Sequence, residues 1–402
     1  GLDGSIRPVK GVLPLAMAMK NSGKALITST GNGSEAAISG ITTYAFATLK
    51  DVVDFLMCPE SAEPLPQPDI ASLLAAAPQT SIDFSDIKGQ HEAKRAMEIA
   101  AAGGHNLIMI GSPGAGKTML ARALPSIMPP LSVGECLECS KIHSIAGLLS
   151  AEHPLVTERP FRAPHHTSSQ ASLIGGGRVP GPGEVSLSHN GILFMDEFPE
   201  FQKNVLEALR QPLEDGIVTI SRVSAQFTFP CNFLLVASMN PCPCGYLNDP
   251  KHECTCSDAA ITRYRRKVSG PLLDRFDIQL EVMPIAFSDL YDDSTREESS
   301  AQVRARVIRA RNIQLARFAK DDGIYCNSNM TQAHLQTYCQ LDAACKRLLE
   351  RAFEKLGISA RAHNRILKLA RTIADLAESE QIQAPHIAEA IQYRALDKSL
   401  WN

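Results

Sequence analysis

Residues 106–124 read NLIMIGSPGAGKTMLARAL: a polar residue, a short uninterrupted apolar run, a glycine-rich octapeptide, and then apolar residues at helical spacing. The octapeptide Gly111–Thr118 satisfies G-x-x-x-x-G-K-[ST] in full, in the strand, loop and helix context that the pattern needs. Small residues let the backbone of Gly111, Ser112, Pro113, Gly114, Ala115 and Gly116 wrap closely around phosphate, and the following helix offers its N-terminus to the anion. Lys117 then reaches the β and γ phosphates of ATP, and the Thr118 hydroxyl ligates Mg²⁺. A chance glycine-rich turn is the competing reading, and the flanking run and helix count against it.

Working outward, Gly191–Glu197 (GILFMDE) is a second apolar strand, ending in two carboxylates. Asp196 is placed to hold Mg²⁺ and Glu197 to orient and polarise the attacking water. Without the octapeptide, the pair would read as an acidic turn after a core strand. A third run, Phe233–Asn240 (FLLVASMN), ends in Asn240, whose amide either positions the water beside the γ phosphate or caps the strand. Continuous apolar runs of this length suit strands buried on both faces of a parallel sheet, so residues 82–287 are expected to form an α/β ATPase core. After about residue 288 the apolar spacing is helical throughout, as in Val303, Val307 and Ala310, and an all-helical domain over 288–402 is expected. Residues 58–81 carry Pro59, Pro64, Pro66, Pro68 and Pro78, and are read as an extended linker after a small segment 1–57 whose helix spans Leu49–Met57.

A chain of 402 residues exceeds the roughly 250–300 at which one hydrophobic core stops growing, so two or three domains are expected. No apolar run approaches the roughly 18 residues that cross a bilayer, and residues 1–10 lack a secretory pattern, so a cytoplasmic protein with no membrane partner is expected. The net charge of −3 leaves any nucleic-acid contact to local patches. Four of the eleven cysteines fall in one short stretch: Cys242, Cys244, Cys254 and Cys256, in C-P-C-x9-C-x-C. Four thiolates from two short arms suit a closed tetrahedral Zn²⁺ site, the alternative being four unliganded thiols in a reduced loop. Cys136 and Cys139, three apart in an expected helix, are read as packing residues.

The order octapeptide, DE strand, strand ending in Asn and then LLDRFD (Leu272–Asp277) resembles the AAA+ ATPases of the magnesium-chelatase and MCM-helicase branch. That resemblance makes Arg275 the finger that enters a neighbouring subunit's ATP site, where a local salt bridge to Asp274 or Asp277 is the alternative. SARAHNRILKLARTIADL (Ser359–Leu376) resembles the sensor-2 helix of the same branch, with Arg361 as its phosphate-facing arginine and Arg365 a solvated residue. FRAPHHTSSQASLIGGG (Phe161–Gly177), MNPCPCG (Met239–Gly245) and ARTIADL (Ala370–Leu376) are similar to segments of the ComM or YifB family of magnesium-chelatase-like proteins, and the likeness covers nearly the whole chain. It implies a homo-hexameric DNA motor that drives branch migration on single-stranded, forked or branched DNA during natural transformation, with recombination proteins as possible partners. A chelatase-type ATPase that remodels a metal-insertion partner is the second reading.

Residues 1–28 resemble the second half of a Lon-type protease domain, in which a VLP turn precedes the helix bearing a catalytic Lys. In that register the Lys position falls on Met19, with Lys20 one residue away, and the half with a nucleophilic Ser is not in this sequence. A small α+β scaffold remnant is therefore expected, rather than a protease. Two insertions bear on DNA. GGGRVPGPGEVSLSHNG (175–191) carries turn residues around Arg178 and alternates from Glu184 to Ser188 as in a hairpin, and EDGIVTISRVSAQFTFP (214–230) supplies a second alternating run with Arg222. In the branch this chain resembles, hairpins at these places line a central pore. Arg178 and Arg222 are accordingly candidate DNA contacts, where merely solvated loop arginines are the alternative.

Overall fold

An uninterrupted apolar strand needs cover on both faces, and the computed structural model, which describes residues 1–74, 82–177, 180–221, 226–285, 297–321, 323–356 and 359–394, provides it. The N-terminal segment contains two short parallel strands, β1 (Leu26–Ser29) and β2 (Thr43–Phe46), with Leu26 paired to Thr43. Its first helix, Val12–Met19, begins at the Val-Leu-Pro triplet itself, so the expected turn is instead a helical first turn. Proline is tolerated there because the first N–H groups have no intrahelical acceptor. Leu13 is buried against Leu131, Cys136, Cys139 and Leu155, which seats the segment on the helix Val133–Ala146. Both cysteines are packing residues, as expected. The helix Leu49–Met57 has the expected bounds and starts with a capping box between Thr48 and Asp51. The proline-rich stretch is not extended throughout: Ile70–Leu74 is a short helix packed on the same cluster, because its apolar residues have core to cover.

The main sheet has five parallel strands: β3 (Leu107–Ile110), β4 (Phe161–Arg162), β7 (Ile192–Met195), β10 (Leu234–Met239) and β11 (Ile278–Glu281), in spatial order β11-β3-β10-β7-β4. Register follows Leu107 against Val236 and Ile278, and Ile192 against Leu234. Successive side chains go to opposite faces. Leu107, Met109, Phe194 and Val236 join a core with the helices His91–Gly103, Ser300–Arg317 and Ala360–Leu376. Ile108, Ile110, Leu193 and Ala237 join a second core with Phe198, Val205 and Phe276. The C-terminal helices thus share the core of one sheet face, which explains the sustained apolar spacing of Val303, Val307 and Ala310.

The remaining strands form two antiparallel pairs between the elements of this sheet. The pair β5 (Gly175–Gly176) and β6 (Gly181–Pro182) is a small hairpin, and β8 (Ile217–Ser221) with β9 (Gln226–Pro230) is a longer one. The alternation from Glu184 to Ser188, expected to be strand, is a single helical turn, Glu184–Leu187. Gly183 and Glu184 carbonyls accept from the Leu187 and Ser188 amides, and Val185 and Leu187 are both buried. Two apolar residues two apart fit one helical turn as readily as a strand, and tertiary packing decided between them. No helix among the described residues is long and apolar enough to cross a membrane.

Candidate active site

Parallel strands bring their C-terminal ends to one edge, so β3, β7 and β10 deliver Gly111, Asp196 and Asn240 side by side. Gly114 and Gly116 hold left-handed backbone (φ 81° and 90°), which an L side chain would resist, and the helix Lys117–Ala123 starts at once. The Lys117 ammonium turns inward, donating to the carbonyls of Gly111 (2.6 Å) and Ser112 (2.9 Å) and to Asn240 Oδ1 (3.3 Å). Burial lowers its pKa, against the pull of Asp196. Thr118 Oγ1 donates to Asp196 Oδ2 at 2.8 Å, and the Ser238 hydroxyl donates to the other carboxylate oxygen. A hydroxyl and a carboxylate converging beside a phosphate loop are hard oxygen donors that fit Mg²⁺. Glu197 follows with φ 52°, uncommon for a residue other than glycine, and its carboxylate pairs with His166 Nδ1 at 2.9 Å.

Several residues that hold this loop carry no motif of their own. Gln90, also left-handed, donates from Nε2 to Met283 O (2.7 Å) and Ala115 O (3.3 Å), tying the entry to the helix His91–Gly103 to the phosphate loop. Asp249 accepts from the Ser112 side chain, and that bond, with the Lys251 and His252 amides, pulls its carboxyl down to about 2. Gly245 lies so close to Pro113 that a Cβ there would sit 2.7 Å from the proline Cδ. Asp249 and Gly245 belong to the cysteine-bearing loop, which therefore leans on the phosphate loop. The sequence hinted at this only by placing Cys242 two residues after Asn240.

The four clustered cysteines converge. Their sulfurs lie within 4.8 Å of one another, with Cys242–Cys244 at 3.3 Å, Cys242–Cys254 at 3.7 Å and Cys244–Cys254 at 3.6 Å. A tetrahedron with Zn–S bonds of 2.3 Å has edges of about 3.8 Å, so the set fits Zn²⁺. All four are free thiols. Backbone N–H donation at Tyr246 lowers the Cys244 thiol, while burial and the neighbouring sulfurs raise those of Cys254 and Cys256.

The arginines assemble elsewhere. Asn106, just before β3, donates from Nδ2 to Arg275 O (2.9 Å) and accepts the Leu235 amide at Oδ1 (2.8 Å), fixing the Arg275 turn at the N-terminal edge of the sheet. Five residues at about 3.3 Å each put this edge about 17 Å from Gly111. Arg275 pairs with Glu214 at 2.6 Å, and with neither Asp274 nor Asp277. Arg361 is largely exposed, 3.9 Å from Asp274, and lines the same groove as Arg275, away from this chain's own phosphate loop. Arg365 is not solvated: it is buried in an ion pair with Asp277 at 2.9 Å, because the helix that carries it packs on the sheet. Burial opposes ionisation of Asp277, but Arg365 and His105 outweigh it and hold that carboxyl well below the usual range. Arg178 and Arg222 lie outside the described residues.

A glycine-rich phosphate loop, a Thr–Asp pair and a carboxylate on the C-terminal edge of the five-stranded parallel sheet β11-β3-β10-β7-β4, with helices packed behind it, define a P-loop ATPase of the AAA+ type. The chain belongs to the magnesium-chelatase family: the model of magnesium chelatase subunit ChlI matches residues 83–290 and that of its C-terminal part matches 297–394. It is similar to competence protein ComM of Haemophilus influenzae, 44% identical over 99% of this chain and 77% of the relative. It is similar also to YifB of Salmonella typhimurium, 42% identical over 99% of this chain and 76% of that protein. The magnesium-chelatase 67 kDa subunit of Heliobacterium mobile is more distant, 25% identical over 57% of this chain and 38% of its own length.

Proposed function

We propose that the chain is an ATP-driven DNA motor that works as a ring, six subunits by the AAA+ resemblance, and moves branch points during recombination of incoming strands. The observation that carries the ring is the split of the machinery between two edges of one sheet. Lys117, Thr118, Asp196, Glu197 and Asn240 lie at the C-terminal edge, and Arg275 and Arg361 lie at the other, about 17 Å away along the strands. A guanidinium that far off cannot touch phosphate held by its own chain, but it can reach phosphate held by the next. Lys117 and the loop amides then neutralise the phosphates, Asp196 and Thr118 hold Mg²⁺, Glu197 polarises the water that Asn240 helps to place, and Arg275 from the neighbour stabilises the transition-state charge. Mg²⁺, which Asp196 and Thr118 would hold, would supply positive charge to the phosphates.

DNA as the partner is supported by the 44% identity to a competence protein and by the two hairpins on the core. Repeated around a ring, one Arg178 and one Arg222 per subunit make circles of positive charge that grip phosphates without reading bases. The Cys242–Cys256 set is proposed to hold a structural Zn²⁺, since four protein ligands leave no open position. A chelatase-type motor acting on a protein partner is the second reading, favoured by the distant likeness to a magnesium-chelatase subunit. ATP turnover titrated with forked, single-stranded and duplex DNA separates the two. Stimulation by DNA, strongest on forked substrate and lost in Arg178→Ala and Arg222→Ala, is expected. Turnover indifferent to every DNA would leave the chelatase reading in place.

A further inference from the structure

Arg275 is fixed at its backbone and nearly unpartnered at its side chain. Its carbonyl accepts from Asn106, its amide donates to Leu272 O at 2.9 Å, and the flanking Leu272 and Phe276 are buried, which holds the turn in place. Among the described residues the guanidinium makes one hydrogen bond, from Nη2 to a Glu214 carboxylate oxygen at 2.6 Å, and its Nε is buried with no acceptor. A guanidinium offers five donors in a planar fork, and an arginine held for stability commonly engages a carboxylate with two of them. Elsewhere in this chain Arg162 grips Glu184 in that way (2.6 and 2.8 Å), as Arg306 does Glu298 (2.7 Å twice). Arg275 is held by one prong only.

Its partner is well anchored in the backbone. Glu214 lies in the last turn of the helix Arg210–Asp215, at the foot of the hairpin β8–β9, where the Gly216 amide donates to Pro212 O and the Cys231 amide to Gly216 O. Val218 and Phe229 of the hairpin share a buried cluster with Leu272 and Phe276, which flank Arg275. The backbone under Glu214 and the turn under Arg275 are therefore packed as one body, and the two side chains are what is left to move. The Glu214 side chain is 60% exposed, so parting the pair strands no buried carboxylate, and exposed ion pairs contribute little to stability. Glu214 also lines the groove that Arg275 and Arg361 share, where its charge offsets theirs. A triphosphate carries more negative charge than one carboxylate and can take both prongs of the fork, so it can displace Glu214.

We propose that Glu214 is a positioning residue for Arg275, an inference that rests on the trans role given to that arginine above. It keeps the guanidinium on its own chain, and Arg275 reaches a neighbour's phosphate only by giving up this partner. Subunit mixing separates such a role from any effect of Glu214 on its own ATP site. Subunits with Arg275→Ala, which keep Glu197 and lack the arginine, are mixed in equal proportion with donors that carry Glu197→Gln and supply the arginine alone. The donors are Glu197→Gln by itself and Glu197→Gln combined with Glu214→Gln or with Glu214→Asp. Glu214→Gln keeps the shape of the side chain and removes its charge, so that donor is expected to raise turnover at saturating ATP severalfold, with KM for ATP unchanged. Glu214→Asp keeps the carboxylate and should leave the rate near that of the Glu197→Gln donor. Turnover with the Glu214→Gln donor equal to or below that of the Glu197→Gln donor would overturn the proposal. Mixtures silent with every donor would instead remove the trans role of Arg275 itself, and this proposal with it.

Discussion

Lys117 and Glu197 separate binding from chemistry. Removing the ammonium at Lys117 leaves phosphate charge without its partner in a buried loop, so Lys117→Ala is expected to abolish nucleotide binding in an equilibrium titration with a fluorescent ATP analogue. Glu197→Gln should bind as wild type does and lose turnover by about 100-fold or more, the scale of a positioned general base. Equal affinity in Lys117→Ala and wild type would remove the phosphate-loop assignment. At this scale the sequence was legible wherever the chemistry constrains neighbours along the chain. Glycines at fixed offsets are required by left-handed backbone at Gly114 and Gly116, and paired carboxylates by the end of a strand. It was silent on His166, Gln90, Asn106, Ser238 and Asp249, which act through partners 25 to 193 residues away and look ordinary in their own segments. Arg365 was misread for the same reason: its acidic partner Asp277 lies on another element.

Among the elements, the helix Ala360–Leu376 is pinned to the sheet by buried charge. Arg365 meets Asp277, and His105 bridges Asp277 to Thr372. Arg365→Ala leaves that carboxylate buried without its cation, so thermal or denaturant unfolding should report a loss of about 3 kcal/mol or more. An unchanged midpoint would mean that Asp277 is solvated in solution. The loop Cys242–Cys256 is expected to carry about one zinc per chain in protein purified without chelator, by elemental analysis, because a closed tetrathiolate site retains its metal. Cys242→Ser should lose the metal and, since Gly245 and Asp249 of this loop touch Pro113 and Ser112, weaken ATP binding as well. Metal-free wild-type protein would retire the site. Uninterrupted apolar runs and strongly periodic helices were legible: β3, β7, β10 and the helices Leu49–Met57 and Ala360–Leu376 lie within a residue or two of expectation. Short stretches of mixed pattern were not. Glu184–Leu187 and Ile70–Leu74 are four or five residues of mixed pattern, and in each the neighbouring core chose helix.

For the whole molecule, the proposed trans role of Arg275 makes hydrolysis a property of pairs of chains, since Arg275 and Lys117 lie at opposite edges of one sheet. Arg275→Ala and Glu197→Gln should each bind ATP and fail to hydrolyse it. In a mixture, a Glu197→Gln subunit still offers Arg275 to the intact Glu197 of an Arg275→Ala neighbour, so turnover is expected to reappear and to peak near equal proportions. Two inactive proteins that stay inactive at every ratio would contradict action in trans. In the proposed motor this hydrolysis moves DNA. That step is tested most directly by following a labelled three-strand branch junction with the wild-type chain, with Glu197→Gln and with a non-hydrolysable ATP analogue. ATP-dependent displacement of the labelled strand by wild type alone is the expected result, and vigorous ATP turnover on that junction with no strand displaced would contradict it.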